Sequence, residues 1–221
     1  MTHHTSPRIL RILVLAMLAA PLLATSAAGA APVLVEATSL SLRDDATPPV
    51  DPRHRKLTFR SSTRKSAVEN RIVPPARGGT GDPTLAGAML YVANAAGSGE
   101  IVRVALPASG WSVQGSTTSP RGFTFRDRSA NAPVGQVVVA PDRLTVTAKG
   151  AGWTYTLDEP QQGRVALRLD LGDAVWCTDA PARATGNPPS TSSSDAPGRF
   201  TAQSKSPPPA VCALNRLTVG N

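Results

Sequence analysis

The chain has 221 residues, 41% of them apolar, 17% charged and only 4% aromatic, with a formal net charge of +8. Proline (21) and glycine (18) stand above average usage yet below the level of wholesale disorder. Two cysteines are too few for a small disulfide-built scaffold, so the chain must bury a hydrophobic core of its own.

Arg8 and Arg11 flank the start of an apolar run from Ile12 to Ala20; Pro21 breaks it, Leu22 to Ala24 extend it, and Ala28-Gly29-Ala30 close it as A-x-A. Positive, apolar and small segments in that order predict a secretory signal peptide over residues 1–30, cut near Ala30. The apolar stretch falls short of the roughly 20 residues that a permanent membrane helix requires, and no cysteine at the cut offers a lipid anchor. The expectation is an exported protein, periplasmic or extracellular, with no transmembrane segment in its mature chain. Of its basic residues only Lys56, Lys65, Lys149 and Lys205 are lysines. A positive balance of this kind serves solubility as readily as it attracts anionic envelope polymers.

Val33 to Leu42 reads as a first strand, and Asp44 to Arg55 as a connector holding Pro48, Pro49 and Pro52. Residues 31–55 thus form an N-terminal strand and linker ahead of a β-sandwich domain over 56–212, with 213–221 as a tail. Lys56 to Arg60 alternates, placing Leu57 and Phe59 inward and the cations outward. Arg64 to Asp82 is a polar loop. Then come Leu90 and Val92, a turn at Ala95 to Gly99 suited to a hairpin, and Val102, Val104 and Leu106. Trp111 with Val113, Phe123 with Phe125, Val137 to Val139, and Leu144 with Val146 mark further strands. Trp153, Tyr155 and Leu157 alternate with polar residues, and Val165, Leu167, Leu169 and Leu171 give the clearest strand. Turn signals at roughly 8–12 residue spacing suit a sandwich or barrel.

One segment carries conflicting signals. Asp82, Pro83 and a terminal Gly97 are the N-cap, first residue and stop of a helix, whereas Gly87 and the pairing of Leu90-Tyr91-Val92 with Ile101 to Leu106 favour a strand, the reading adopted. Pro181 to Gly198, rich in Pro, Ser, Thr and Ala, reads as a mobile loop, and Arg199 to Gln203 as a last short strand. Cys177 and Cys212, an even pair in an exported chain, predict a disulfide contributing roughly 3–4 kcal/mol by loop entropy.

The strings Gly81-Asp82-Pro83-Thr84-Leu85-x-Gly87, Leu106-Pro107-Ala108-x-x-Trp111 and Gly122-Phe123-x-Phe125 resemble uncharacterised β-rich modules of secreted bacterial proteins. Gly163-Arg164-Val165, Leu169-x-Leu171-Gly172, Cys177 and the Pro-Ala-x-Cys ending at Cys212 extend the resemblance over roughly Leu57 to Cys212. These are turn and core residues; the resemblance implies a fold and a strand after Thr84, and brings no activity.

Chemistry-bearing residues are sparse. His54, the one histidine beyond the leader, sits among Arg53, Arg55 and Lys56, which leaves it a weak base and removes a Ser–His pair. Asp44-Asp45, Asp158-Glu159 and Asp170 with Asp173 are adjacent in turns, where paired catalytic carboxylates do not face one another. Ser62-x-x-Lys65 matches a nucleophile pattern in letters only, and no calcium-loop motif occurs. No cofactor or metal ligand set is expected. Arg53, Arg55, Lys56, Arg60, Arg64 and Lys65 are candidates for polyanion contact, although outward cations on a strand also protect a sheet edge from pairing. Trp111, Trp153 and Trp176 are candidates for stacking on sugar rings; against that, so few aromatics are needed in the core, and Trp176 beside Cys177 is expected to pack on the disulfide.

The expected fold is all-β, a sandwich or Greek-key assembly of about ten strands with one disulfide. The expected role is that of an exported non-enzymatic module, structural or binding, at the cell envelope or outside the cell. Its partners would be anionic envelope polymers or glycans, not nucleic acid. A carbohydrate-binding module and a hydrolase with acids converging from separate strands are the alternatives.

Overall fold

The computed structural model describes residues 31–45, 51–96, 98–116, 119–184 and 194–217. Residues 1–30, read as a signal peptide, lie outside them, as do 46–50, 97, 117–118, 185–193 and 218–221. The described chain is an all-β sandwich of two sheets, with one disulfide. In chain order the strands are β1 (Val33–Leu34), β2 (Ser39–Arg43), β3 (Lys56–Ser62), β4 (Ala88–Asn94), β5 (Ile101–Leu106), β6 (Trp111–Gly115) and β7 (Pro120–Arg126). They continue as β8 (Gln136–Ala140), β9 (Arg143–Lys149), β10 (Arg164–Leu171), β11 (Ala174–Pro181), β12 (Asp195–Ala196) and β13 (Arg199–Thr201). The smaller sheet runs β1-β11-β10-β4-β5 and the larger β12-β13-β2-β3-β9-β8-β7-β6. Every neighbouring pair is antiparallel except β1 with β11.

Period-two alternation builds the core. Leu40 and Leu42, Leu57 and Phe59, Phe123 and Phe125, Val137 and Val139, and Leu144 and Val146 leave the larger sheet on one side. They meet Leu90, Val92, Val165, Leu167, Leu169 and Leu171 from the smaller. Each such side chain withdrawn from water contributes about 1.5–3 kcal/mol.

The first predicted strand is in fact two, split between the sheets: β1 lies on β11, and β2 lies between β13 and β3. The sandwich therefore takes in the chain from Val33, where a leading strand and linker are expected over 31–55. Asp82 caps a single helical turn, α1 (Pro83–Ala86), by accepting from the Thr84 N–H at 2.9 Å. Gly87 ends that turn at φ 74°; a Cβ there would stand 2.7 Å from the Leu106 carbonyl oxygen. The chain then enters β4, so both signals in this segment are real and the helix is one turn long.

Three further expectations are corrected. Trp153, Tyr155 and Leu157 are buried as alternation predicts, but their segment joins no strand ladder. It is held by single bonds, the Gly198 N–H donating to the Leu157 carbonyl and the Thr156 N–H to Glu100. The ends of the stretch read as a mobile loop are built into the sandwich. Asp195 of β12, 2% exposed, accepts from the N–H groups of Gln162 and Gly163 at 2.7 and 2.8 Å and so fixes the entry to β10. Leu214 opens a second helical turn, α2 (Leu214–Leu217), and is fully buried where a free tail is expected.

Cys177 and Cys212 are bonded, their Cα atoms 5.7 Å apart. With Ala93, Ala166 and Leu214 they form a second apolar cluster on the outer side of the smaller sheet. Trp176, next along β11, belongs to the main core. Successive strand residues face opposite ways, so its expected packing on the disulfide does not occur. No helix among the described residues is long and apolar enough to cross a membrane. The Cys177→Ser/Cys212→Ser variant should lose about 3–4 kcal/mol of stability on the loop-entropy model, read as a lower urea midpoint; an unchanged midpoint would show that the bond constrains nothing.

Candidate functional site

The predicted basic residues separate into two groups. Arg53 clasps Asp51, its Nη2 2.8 Å from Oδ2; that side-chain bond, with the Arg53 N–H, lowers the Asp51 carboxyl to about 2. Arg55 is turned onto Asp44 at 3.2 Å, both little exposed. These two cations are spent locally. Lys56 and Arg60 instead stand exposed on the outer face of β3, and Arg64 and Lys65 are exposed just after it. Strand β3 lies between β2 and β9, well inside the sheet, so Lys56 and Arg60 guard no edge.

Cross-strand register places further residues beside them. Arg199 pairs with Arg43, Arg43 with Lys56, and Lys56 with Lys149. All four are exposed, and none forms an ion pair with a described carboxylate. Like charges directly opposite in a sheet are destabilising, yet here four follow one another across four strands. The next row is Thr201, Ser41, Thr58, Thr147, Gln136 and Arg126. A third holds Ser39, Arg60, Thr145, Val138, Thr124 and Ser112, and Arg143 faces Ser62 in the fourth. No Asp or Glu occupies an outward position on strands β12 to β6 of this sheet.

Two shallow depressions mark the ends of β8 and β9 on this face. One, of about 390 Å³, is lined by Arg60, Ser62, Val138, Arg143 and Thr145. The other, also about 390 Å³, lies among Gln136, Thr147, Lys149, Arg128 and Asp127. Asp127 is held below the usual carboxylate range by the N–H and hydroxyl of Ser129. The face can hold anions by charge and by hydroxyl donors. Sequence reasoning found Lys56 and Arg60 but missed Arg43, Lys149, Arg199 and Arg143; outward alternation was the available signal, and the missing information was the register.

The sugar-stacking candidates are not available for contact. Trp111, Trp153 and Trp176 are 6%, 1% and 2% exposed; Trp111 packs against Phe125 at 5.5 Å and Trp153 stacks on Tyr155 at 6.3 Å between ring centres.

Acids do converge from separate segments elsewhere. Tyr155 donates to Gln162 at 2.7 Å, Gln162 donates to Glu159, and Ser98 donates to the other oxygen of Glu159. Glu100 accepts from the N–H and hydroxyl of Thr156 at 3.0 and 3.1 Å. Burial pushes the Glu100 carboxyl up, the two Thr156 bonds pull it back, and the charges of Glu159 and Asp158 add to the rise. Burial, with the charges of Glu100, Glu159 and Asp195, also raises the Tyr155 phenol. The neighbouring depression, about 320 Å³, is lined by Asp44, Asp45, Arg55, Thr156, Leu157, Asp158 and Pro197. Glu100, the perturbed acid, is not among its walls. Asp44 and Asp45 are engaged by Arg55 and His54. No group of three or more His, Cys, Asp or Glu able to hold a metal ion occurs among the described residues.

No protein-family model, curated protein or solved structure matches the chain. Function must therefore be read from the site itself.

A carboxyl raised in the folded state favours its neutral form. The stability it confers is complete below the unfolded value and is lost as pH rises through the folded one. Glu100→Gln keeps an acceptor for the Thr156 N–H without the charge. It should melt higher than the parent at about pH 7, with the gain vanishing near pH 4 as the parent's own carboxyl becomes neutral. Parallel melting curves at both pH values would contradict this electrostatics.

Proposed function

We propose that the chain is an exported, non-enzymatic β-sandwich module that binds an anionic polymer at the cell envelope or outside the cell. The ligand lies on the outer face of the larger sheet. The observation that carries this reading is the row Arg199, Arg43, Lys56, Lys149, held in line on interior strands with no carboxylate among them. Such a row costs folding stability, about 0.2–1 kcal/mol for each adjacent like-charged pair. Solubility alone asks only for net charge and is served equally well by dispersed cations. Alignment along one sheet face is what a long anion requires, since adjacent cations then act on successive groups of one ligand. Export accords with the leader-like N-terminal residues and with the disulfide, which persists in oxidising compartments.

The same row supplies the test. Lys56→Glu places an acid between Arg43 and Lys149, so the variant should be more stable than the parent by roughly 0.5–2 kcal/mol. At the same time it should bind dextran sulfate roughly tenfold more weakly, with a shallower salt dependence. The parent should ignore uncharged dextran, and Arg53→Ala should bind as the parent does. A Lys56→Glu protein that is destabilised, or that binds dextran sulfate undiminished, would remove the basis of the proposal.

A further inference from the structure

We infer that the polymer this face takes is an acidic polysaccharide of the polyuronate type, a chain of sugar rings each carrying a carboxylate beside free hydroxyls; the inference rests on the polyanion reading above. Its starting point is the second row. The hydroxyls of Ser41, Thr58, Thr147 and Thr201 hold no hydrogen bond to any described residue, and they stand in register with the cations of the first row. Adjacent strands are about 4.8 Å apart, and successive outward residues on one strand are about 7 Å apart. The four cations therefore span about 14 Å across the sheet, with a parallel line of hydroxyls about 7 Å to one side.

A ligand lying across the strands meets both lines at once, charge along one rim and hydrogen-bonding hydroxyls along its body. Gln136 extends the hydroxyl line and Arg126 ends it with a second cation. Arg60 and Arg143, beyond that line, offer planar forks that grip a carboxylate by two parallel bonds.

Other anions use less of this surface. Polyphosphate presents charge and acceptor oxygens but no donors of its own, so it engages the second row only as donors and leaves the acceptor oxygens of Ser41, Thr58, Thr147 and Gln136 idle. Single-stranded nucleic acid is held by stacking of bases on aromatic rings, and no aromatic residue occupies an outward position on these strands. A bilayer surface rewards apolar insertion beside basic charge, whereas the outward apolar residues within the rows are the small Val138, Ala140 and Ala196. Rings with carboxylates and hydroxyls on the same unit match both rows.

The deciding experiment measures binding of the purified protein to four probes: polygalacturonate, its methyl ester, polyphosphate of matched charge, and phosphatidylglycerol vesicles. Each is repeated with Thr58→Val/Thr147→Val, and with Ser41→Ala/Gln136→Ala as a second pair in the same row, thermal melting confirming that each variant is folded. Polygalacturonate should bind at least about tenfold more tightly than the other three. Either hydroxyl-row variant should weaken it at least about fivefold while weakening residual polyphosphate binding by a smaller factor. Equal binding of polyphosphate or vesicles, or indifference to both hydroxyl-row variants, would overturn the glycan assignment and leave the polyanion face standing, provided Lys56→Glu still weakens binding. If Lys56→Glu changes no binding at all, both readings fall together.

Discussion

In a strand, side chains face opposite sides in strict turn, so the choice of one face settles the other. Leu57 and Phe59 are committed to the core, and Lys56, Thr58 and Arg60 have no position left but the outer surface. The same holds across the sheet, where Leu40 and Leu42, Leu144 and Val146, and Phe200 fix the parity of β2, β9 and β13. A slip of one residue between β3 and β9 would put Lys149 against the core and Ala148 in solvent, at a cost set by burying an ammonium without a partner. Hydrophobic burial therefore does more than hold the molecule together. It holds four cations in one line against their mutual repulsion, and the proposed function rests on that line.

The two outer faces of the sandwich have different fates. On the smaller sheet the segment after Cys212 folds back, tied by the disulfide and by Arg168, whose Nη1 donates to Asn215 at 2.7 Å. Arg168 also lies over the Tyr91 ring, 5.7 Å from its centre, and is paired with Asp170. Ala93, Ala166 and Leu34 are thereby covered from outside as well as within. The larger sheet carries polar residues outward instead, and its basic row stays exposed. A face already roofed by its own chain offers little to a ligand; a bare face with unspent donors offers a great deal.

How far the sequence discloses this depends on which residues are considered. Strands with one wet face announce themselves, and β3, β9 and β10 stand where alternation puts them. Strand β11 does not, because Val175, Trp176, Cys177 and Thr178 are all buried. With the core on one side and the disulfide cluster on the other, no polar face survives to mark a period of two. Strand β12 escapes for the opposite reason. Its buried residue is Asp195, and a Ser- and Pro-rich context reads as loop even where the carboxylate is clamped by two N–H groups. Trp153, Tyr155 and Leu157 show the converse limit: alternation reports which side chains are buried and is silent on whether a neighbour completes a ladder. The candidate site suffers most from this silence. Lys56 and Arg60 are visible as outward cations, but their alignment with Arg199 and Lys149 comes from pairing between segments far apart in the chain, which a local pattern does not encode.

Charge in this molecule is partitioned rather than spread. Four carboxylates at the loops and on the smaller sheet are paired with arginines close in sequence or on the neighbouring strand: Asp51 with Arg53, Asp44 with Arg55, Asp170 with Arg168, and Asp179 with Arg164. Arg53 and Arg164 are exposed and their pairs contribute little to stability, whereas the Arg55–Asp44 and Arg168–Asp170 pairs are largely buried; together they neutralise four carboxylates away from the basic row. What remains is a surplus of cations on one sheet surface, with Asp127 at the edge of that face, beside Lys149, as its nearby acid. A net charge of +8 distributed evenly would give weak attraction in every direction. Six cations, Arg199, Arg43, Lys56, Arg60, Lys149 and Arg143, stand together on the outer side of β13, β2, β3 and β9 and act on one side of the molecule. The hydrogen-bonded ladder fixes the backbone beneath the rows, so a polymer of the proposed kind would have to order only the exposed Lys and Arg side chains, at about 0.5–1.5 kcal/mol each.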